Sequence, residues 1–228
     1  MVIYMIQLPN IKTAGTLSER AYEVLKNAII GLELKPGDLI TVEEISEQLD
    51  ISRTPIRTAL NKLMEEDLVE MIPGKGTFVT FLTEKQAIDL LNVRELLECY
   101  AIQLAAEHRT QEDLENLEFM LCQQELTFKG IRKSQKEFLK YDGEFHSAIA
   151  QISKNAYLEK QLFQMHSNLM RYLNASTMDN VAQQAIEEHK ELYIQIKNRD
   201  IKKAISNMRE HINNIKVRVI DYINYNEC

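Results

Sequence analysis

Cysteine is scarce in this chain, and its three copies stand far apart at Cys99, Cys122 and Cys228. The number is odd and no Cys-x-x-Cys spacing occurs, which argues against a disulfide framework and against a thiolate metal site. No apolar run reaches the length of a membrane span, and the N-terminus lacks a charged region followed by an apolar signal core. We therefore expect a cytoplasmic protein with one large or two small domains in 228 residues.

Proline and glycine are almost absent from the C-terminal two-thirds of the chain. No proline follows Pro73, and beyond residue 82 the glycines are Gly130 and Gly143. Apolar residues recur there at helical spacing, so residues 83–228 are predicted to form an all-α bundle of six or seven helices. Six helices are expected at about 84–107, 111–128, 131–152, 155–176, 179–197 and 200–224. The chain before the bundle divides into a loose arm, residues 1–15, and a smaller domain, residues 16–82.

The smaller domain contains a helix-turn-helix pattern between residues 40 and 68. Val42, Ile45 and Leu49 recur at helical spacing, the segment 50–52 breaks the run, and a second helix begins near Pro55. Five polar side chains fall on the face opposite its apolar stripe: Arg53, Thr54, Arg57, Thr58 and Asn61. Arg and Asn are side chains that pair with base edges in the major groove, so this face suits DNA recognition. The alternative is an ordinary solvated helix face.

A β-hairpin is predicted directly after these helices. Residues 68–72 and 77–81 alternate as strands do, and the segment 73–76 between them has turn chemistry. An earlier helix is also predicted, with a cap at residues 16–19 and an apolar stripe from Ala21 to Ile29. With three helices before it, the hairpin completes a winged helix-turn-helix, so the whole chain is predicted to be mostly α. Lys75 and Gly76 at the hairpin tip are expected to approach DNA, since glycine leaves backbone amides open to phosphate.

The resemblance to a known family rests on three motifs of this domain. They are Leu34-x-Pro36-Gly37, then Ser52-Arg53-Thr54-Pro55-Ile56-Arg57, and finally Gly74-x-Gly76-x-Phe78-Val79. Together they resemble the DNA-binding domain of GntR-family transcriptional regulators, and this implies that Arg53, Arg57 and Gly76 contact operator DNA. Glu43 departs from the family pattern, which commonly has a DNA-contacting arginine there, so the operator preference is expected to differ.

Positive charge is in short supply for a DNA-binding protein. The chain has a net charge of −7, and residues 1–82 hold 8 lysines and arginines against 12 acidic residues, a net charge of −4. Few phosphates can be neutralised per domain, so counterion release is modest and one domain alone binds weakly. This favours a homodimer that binds a two-part operator in double-stranded DNA.

Polar side chains interrupt the apolar stripes of the predicted bundle at four positions. Asp142 and His146 stand one helical turn apart, and His189 and His211 interrupt two other stripes. If the last two helices form an antiparallel hairpin, the latter two stand level, because each lies 11 residues from Asp200. Imidazole and carboxylate ligands suit zinc, or manganese, nickel or iron if more coordination positions are open. Hydrogen-bonded packing of core histidines is the alternative.

These positions also occur in motifs that resemble the FCD ligand-binding domain of the FadR subgroup, over about residues 86–222. The motifs are Arg94-x-x-Leu97-Glu98, Asp142-x-x-Phe145-His146, Glu188-His189 and a late His211. The resemblance implies a divalent metal at Asp142, His146, His189 and His211 that helps to hold a small carboxylate effector. Arg94 lies on an apolar stripe, and its planar fork suits the carboxylate of that effector, with Glu98 as the alternative partner.

Together the patterns predict a ligand-responsive, DNA-binding transcriptional regulator and no enzyme. One alternative is a metal sensor, in which the ion itself is the effector. A metal-dependent enzyme is the other, since such a ligand set can activate water. No general base or nucleophile with convincing spacing accompanies the four residues, and an enzyme would leave the winged helix without a role. His166, on an apolar stripe with Leu162, receives no role.

Overall fold

The computed structural model describes residues 15–129, 134–176 and 179–226. Apart from Gly15, the predicted N-terminal arm lies outside these residues, as does Cys228. The chain divides between Leu82 and Thr83 into two compact units. No helix in the part of the chain that the structure describes is long and apolar enough to cross a membrane.

The first unit is built from three helices and a small antiparallel sheet. Its elements are α1 (Leu17–Ile30), β1 (Leu39–Ile40), α2 (Val42–Leu49), α3 (Arg53–Glu65), β2 (Val69–Ile72) and β3 (Gly76–Val79). Thr16 and Glu19 form a capping box at the start of α1, and Thr41 caps α2. Ser52 is the N-cap of α3, and Pro55 lies in its first turn, where a missing N–H costs no helical hydrogen bond.

The sheet has the strand order β1-β3-β2, so the predicted hairpin forms its larger part. The third strand, β1, was not predicted because a two-residue strand is too short to show alternation. It pairs with β3 through Leu39 opposite Phe78 and Ile40 opposite Thr77. The core of the unit lies between α1, α3 and the sheet, and it contains the fully buried Leu25, Ile29, Ile56, Leu63 and Val79.

The second unit is all α-helical in the residues described. Its helices are α4 (Glu84–His108), α5 (Gln111–Lys129), α6 (Gln135–Ile152), α7 (Ala156–Ser176), α8 (Asp179–Asn198) and α9 (Ile201–Asn226). Helix α4 packs most extensively on α9 and also contacts α6, α7 and α8, so it is the centre of the bundle. The predicted fold class is confirmed, a winged helix-turn-helix followed by a helical bundle. The largest shift in a helix start is at α6, predicted to begin at 131.

Candidate functional site

The face of α3 that was predicted to bind DNA lies at the surface of the first unit. All five of its polar residues are exposed: Arg53, Thr54, Arg57, Thr58 and Asn61. At the hairpin tip, Lys75 and Gly76 are exposed too. The structure supplies a packing reason for Gly76, because its φ is +123° and a Cβ there would meet the Leu39 Cδ1 atom at 2.8 Å. DNA contact by these residues stays a prediction.

Two charged residues near this face have partners within the unit. Glu43 on α2 forms an ion pair with Arg53, with 3.1 Å between Oε1 and Nη1. The ammonium of Lys62 on α3 lies 3.7 Å from the centre of the Tyr22 ring. Lys62 is therefore held against α1 by a cation–π contact.

In the second unit three histidines from three helices meet in the core. His146 comes from α6, His189 from α8 and His211 from α9, and all three are buried. Their ring nitrogens lie within 4.8 Å of one another, and the Nε2 atoms of His146 and His211 are 3.2 Å apart. Asp142, also buried, places Oδ1 3.6 Å from His189 Nε2. The structure thus brings the three predicted histidines together and places Asp142 beside one of them, His189.

The opposite nitrogen of each imidazole faces an oxygen supplied by another helix. His189 Nδ1 is 2.8 Å from the amide oxygen of Gln124, and His211 Nδ1 is 2.6 Å from a Glu188 carboxylate oxygen. His146 Nδ1 lies 3.3 Å from a carboxylate oxygen of Glu98. Oxygens accept hydrogen bonds, so these contacts favour the tautomer of His189 and His211 that carries the proton on Nδ1 and leaves the Nε2 lone pair free for a metal.

These supporting residues were only partly visible in the sequence. Glu98 was assigned to Arg94 alone, while Gln124 and Glu188 received no role in the cluster. The amide nitrogen of Gln124 donates to the Tyr141 carbonyl, and Asn214 donates to the second oxygen of Glu188. Both side chains are therefore held in place before they reach the histidines, which orients the imidazoles.

Burial favours the neutral, metal-binding form of His189 and His211. It places the pKa of His189 well below the usual value, and the neighbouring imidazoles lower this pKa further. Burial also lowers the pKa of His211, although its bond to Glu188 acts in the opposite direction. Neutral imidazoles are the metal-binding form, so no proton has to leave these two rings before an ion binds.

The inward-facing Nε2 atoms of the cluster lack good hydrogen-bond partners in the described part of the chain, and a bound cation would satisfy them. The Nε2 atoms of His146 and His211 are 3.2 Å apart, so two lone pairs would oppose each other there if both rings carry their proton on Nδ1. His189 Nε2 is buried and has no hydrogen-bond partner among the described residues. Three inward lone pairs with one carboxylate nearby form a ligand set that fits a borderline divalent ion such as zinc. The residues present therefore fit the metal that the family resemblance implied.

A cavity of about 560 Å³ opens beside this cluster, between α4, α6 and α7. Arg94, Glu98 and His146 contribute to its wall, together with His166 from α7. Gly143 on α6 leaves room for the His166 ring, because a Cβ there would lie 2.4 Å from that ring and the ring would have to move. His166 therefore belongs to the cavity wall, which its place on an apolar stripe did not reveal.

Arg94 has the partner that the sequence left as an alternative. Its Nη2 donates to Glu98 at 2.6 Å, and both side chains are buried. Burial raises the pKa of Glu98, but His146 and Arg94 outweigh it and the pKa falls to about 2. Arg94 Nε and Nη1 have no hydrogen-bond partner among the described residues. The guanidinium thus keeps donors for a second anion while one carboxylate holds it in place.

Each of the two units matches a known protein family. Residues 89–214 match the FCD domain, and residues 17–79 match the bacterial regulatory proteins of the gntR family. The HTH-type transcriptional regulator LutR of Bacillus subtilis (strain 168) is 30% identical over 216 residues, covering 85% of this chain and 97% of LutR. The HTH-type transcriptional repressor RspR of Escherichia coli (strain K12) is 24% identical over 207 residues, 89% of each chain.

Solved structures share the fold over nearly the whole chain. The E. coli McbR/YncC structure has a TM-score of 0.74 at 23% identity and covers 94% of this chain and 100% of that one. A GntR regulator structure from Rhodococcus sp. RHA1 has a TM-score of 0.77 at 18% identity, with 90% and 97% covered. The match to the FCD domain covers more than half of this chain. The chain therefore belongs to the GntR family, as a ligand-responsive transcriptional regulator and not an enzyme.

Proposed function

We propose that this regulator binds a small carboxylate effector at a divalent metal in its second unit, and that the effector controls operator binding by its first unit. The observation that carries the proposal is the convergence of three buried imidazole rings, with one nitrogen of each within 4.8 Å of the others, beside a cavity that Arg94 also lines. A metal sensor would need no such cavity. We place the protein in the cytoplasm, where its operator DNA lies.

Asp142, His146, His189 and His211 would hold the ion, and zinc fits the three nitrogens best. Manganese, nickel or iron would fit if effector and water fill further positions. Bound there, the ion supplies positive charge for a carboxylate at the cavity wall. Arg94 supplies the second cationic contact, since its guanidinium can hold Glu98 and a further carboxylate together.

Residues 16–82 would form the DNA-binding domain and residues 83–228 the effector-binding and dimerisation domain. The side chains proposed to contact DNA are those of Arg53, Thr54, Arg57, Thr58, Asn61 and Lys75, together with the Gly76 backbone. The effector can change DNA affinity only if it binds the DNA-binding arrangement of the dimer and another arrangement with different affinities. The resulting coupling free energy between effector and DNA is typically about 1–3 kcal/mol.

A test of this function begins with protein stripped of metal by a chelator and reloaded with zinc. A panel of small hydroxy- and keto-acids is then screened by thermal shift. An effector at about 100 times its Kd raises the free energy of unfolding by about 2.7 kcal/mol, which raises Tm by roughly 5–10 °C for a chain of this size. We expect this increase in Tm only in the zinc-loaded protein. We also expect the increase to be much smaller in the Arg94→Gln variant, which has no cationic group, than in the Arg94→Lys variant. If zinc alone changes DNA affinity and no acid does, the ion is the effector and the proposal is wrong.

We further propose that α4 provides a homodimer contact. Val93, Leu96 and Tyr100 share one face of this helix and are 49%, 72% and 48% exposed, which makes an apolar stripe on the second unit. A two-fold dimer would bury this stripe against itself and present two α3 helices to two half-sites.

Leu96→Lys is expected to convert the protein to a monomer, because it places two charges within the stripe at the two-fold contact. The measurement is sedimentation velocity, with wild type expected at twice the 26.5 kDa chain mass. Tyr157→Lys, at an 85% exposed aromatic on α7, is the control and should stay dimeric. A Leu96→Lys protein that remains dimeric would rule out this contact.

A further inference from the structure

The ion pair between Glu43 and Arg53 joins the two helices of the helix-turn-helix at their exposed side. Its oxygen–nitrogen distance is 3.1 Å, and the two side chains are 56% and 60% exposed. Exposed pairs of this kind add little to folding stability, because water and salt screen them. Glu43 also lies in the first turn of α2, where the helix dipole favours a carboxylate by a modest amount. The fold therefore gives only a modest reason for a carboxylate at position 43.

Glu43 differs from its neighbour Glu44 in what it does. The Glu44 carboxylate accepts a hydrogen bond from the Thr41 hydroxyl, at 2.7 Å, and so belongs to the cap of α2. Glu43 instead reaches across to the first residue of α3 and neutralises the guanidinium there. A neutralised guanidinium attracts phosphate less, so the pair adds little to sequence-independent attraction for DNA.

A carboxylate beside a DNA-binding helix repels the backbone unless it faces a hydrogen-bond donor. The major-groove edges offer such donors as amino groups, on cytosine N4 and adenine N6, and a Glu side chain pairs with the former. Arg53 has the complementary preference for the O6 and N7 acceptors of guanine. The two side chains of one ion pair are thus suited to two different base edges.

We propose that Glu43 and Arg53 form one base-recognition unit, in which Arg53 binds guanine, Glu43 accepts from the amino group of a nearby cytosine, and the ion pair fixes both side chains. The inference rests on the proposed function, which places α3 in the major groove. Glu43 is then a specificity residue, and its removal has two opposite effects. Affinity for unrelated DNA rises because a negative charge is lost, while discrimination at one base pair falls.

The test uses full-length protein and duplexes selected by it from a random-sequence pool. Wild type, Glu43→Gln and Arg53→Ala are compared, with Glu47→Gln as the matched control at an exposed carboxylate of the same helix. Binding is measured by fluorescence anisotropy on the selected duplex and on single-base-pair replacements. We expect wild type to lose about tenfold in affinity when the cytosine is replaced, and Glu43→Gln to lose less than about twofold, with a shift toward adenine.

The outcomes separate this inference from the function it rests on. If Glu43→Gln selects the same sequence as wild type with equal discrimination, Glu43 does not recognise a base and the inference is overturned, whatever happens to overall affinity. If Arg53→Ala also leaves selection unchanged while Arg57→Ala abolishes binding, α3 still recognises DNA and only the paired unit fails. If wild type selects no sequence at all, both this inference and the proposed function fail.

Discussion

Metal analysis of the purified wild-type protein is expected to give about one zinc equivalent per chain, and the His146→Ala/His189→Ala double variant to have none at stoichiometric level. The two changes remove two of the three clustered imidazoles, each of which offers one ligand nitrogen. One imidazole and the Asp142 carboxylate cannot then complete a tetrahedral site. We expect zinc affinity to fall by more than about 100-fold, beyond the 10–100-fold that loss of a supporting partner costs.

Two further variants sharpen this measurement. Glu188→Gln keeps all four ligands and alters the carboxylate that holds His211 Nδ1 and accepts from Asn214, so its zinc affinity should fall by about 10–100-fold. His108→Gln is the control, since His108 is exposed and its Nδ1 faces the Ser153 carbonyl, away from the cluster. Circular dichroism establishes that each variant remains helical. Stoichiometric zinc in the folded double variant would show that the four residues are not the ligand set.

Arg57→Ala is expected to weaken binding to a selected duplex by the largest factor of any change on α3. A bidentate arginine–guanine contact contributes about 1–3 kcal/mol of discrimination, and a dimer loses the contact twice. The first unit has a net charge of −4, so little sequence-independent attraction remains to compensate. The measurement is anisotropy at several salt concentrations, which separates lost base recognition from lost phosphate contacts.

Lys62→Ala is the matched control on the same helix. Its ammonium lies against the Tyr22 ring, so its removal costs some stability but should leave DNA affinity within about twofold. If Arg57→Ala binds as tightly as wild type, the exposed face of α3 is a solvated helix surface and does not contact DNA. Equal losses in both variants would point to general charge attraction in place of a defined contact.

The ligand residues of the second unit could be predicted because they break a pattern. His146, His189 and His211 each occupy a position where helical spacing demands an apolar side chain, and the structure buries all three. Their supporting residues break no pattern. Gln124 is 65 residues from His189 and Glu188 is 23 residues from His211, so only the packing of α5, α8 and α9 brings each pair together.

In the first unit, too, local features could be predicted from the sequence and contacts between distant residues could not. The capping box of α1 and the breaks around α3 are local, and the sequence predicts them well. The strand β1 depends on pairing with β3, which lies almost 40 positions later by its register of Leu39 with Phe78. The Glu43–Arg53 pair forms across a turn whose geometry has no signature of its own. At Glu43 the sequence predicted only a missing arginine contact.

Helix α8 carries two adjacent residues that serve different ligands of the candidate metal centre. His189 offers its own Nε2 atom, while Glu188 holds the ring of His211 on α9. Neighbouring residues on a helix point about 100° apart, so these two side chains leave α8 in different directions, one toward the centre and the other toward the His211 ring. An axial rotation of α8 in either direction would therefore withdraw one ligand and release the ring of another. An occupied centre would thus favour one rotational setting of α8 over its neighbours.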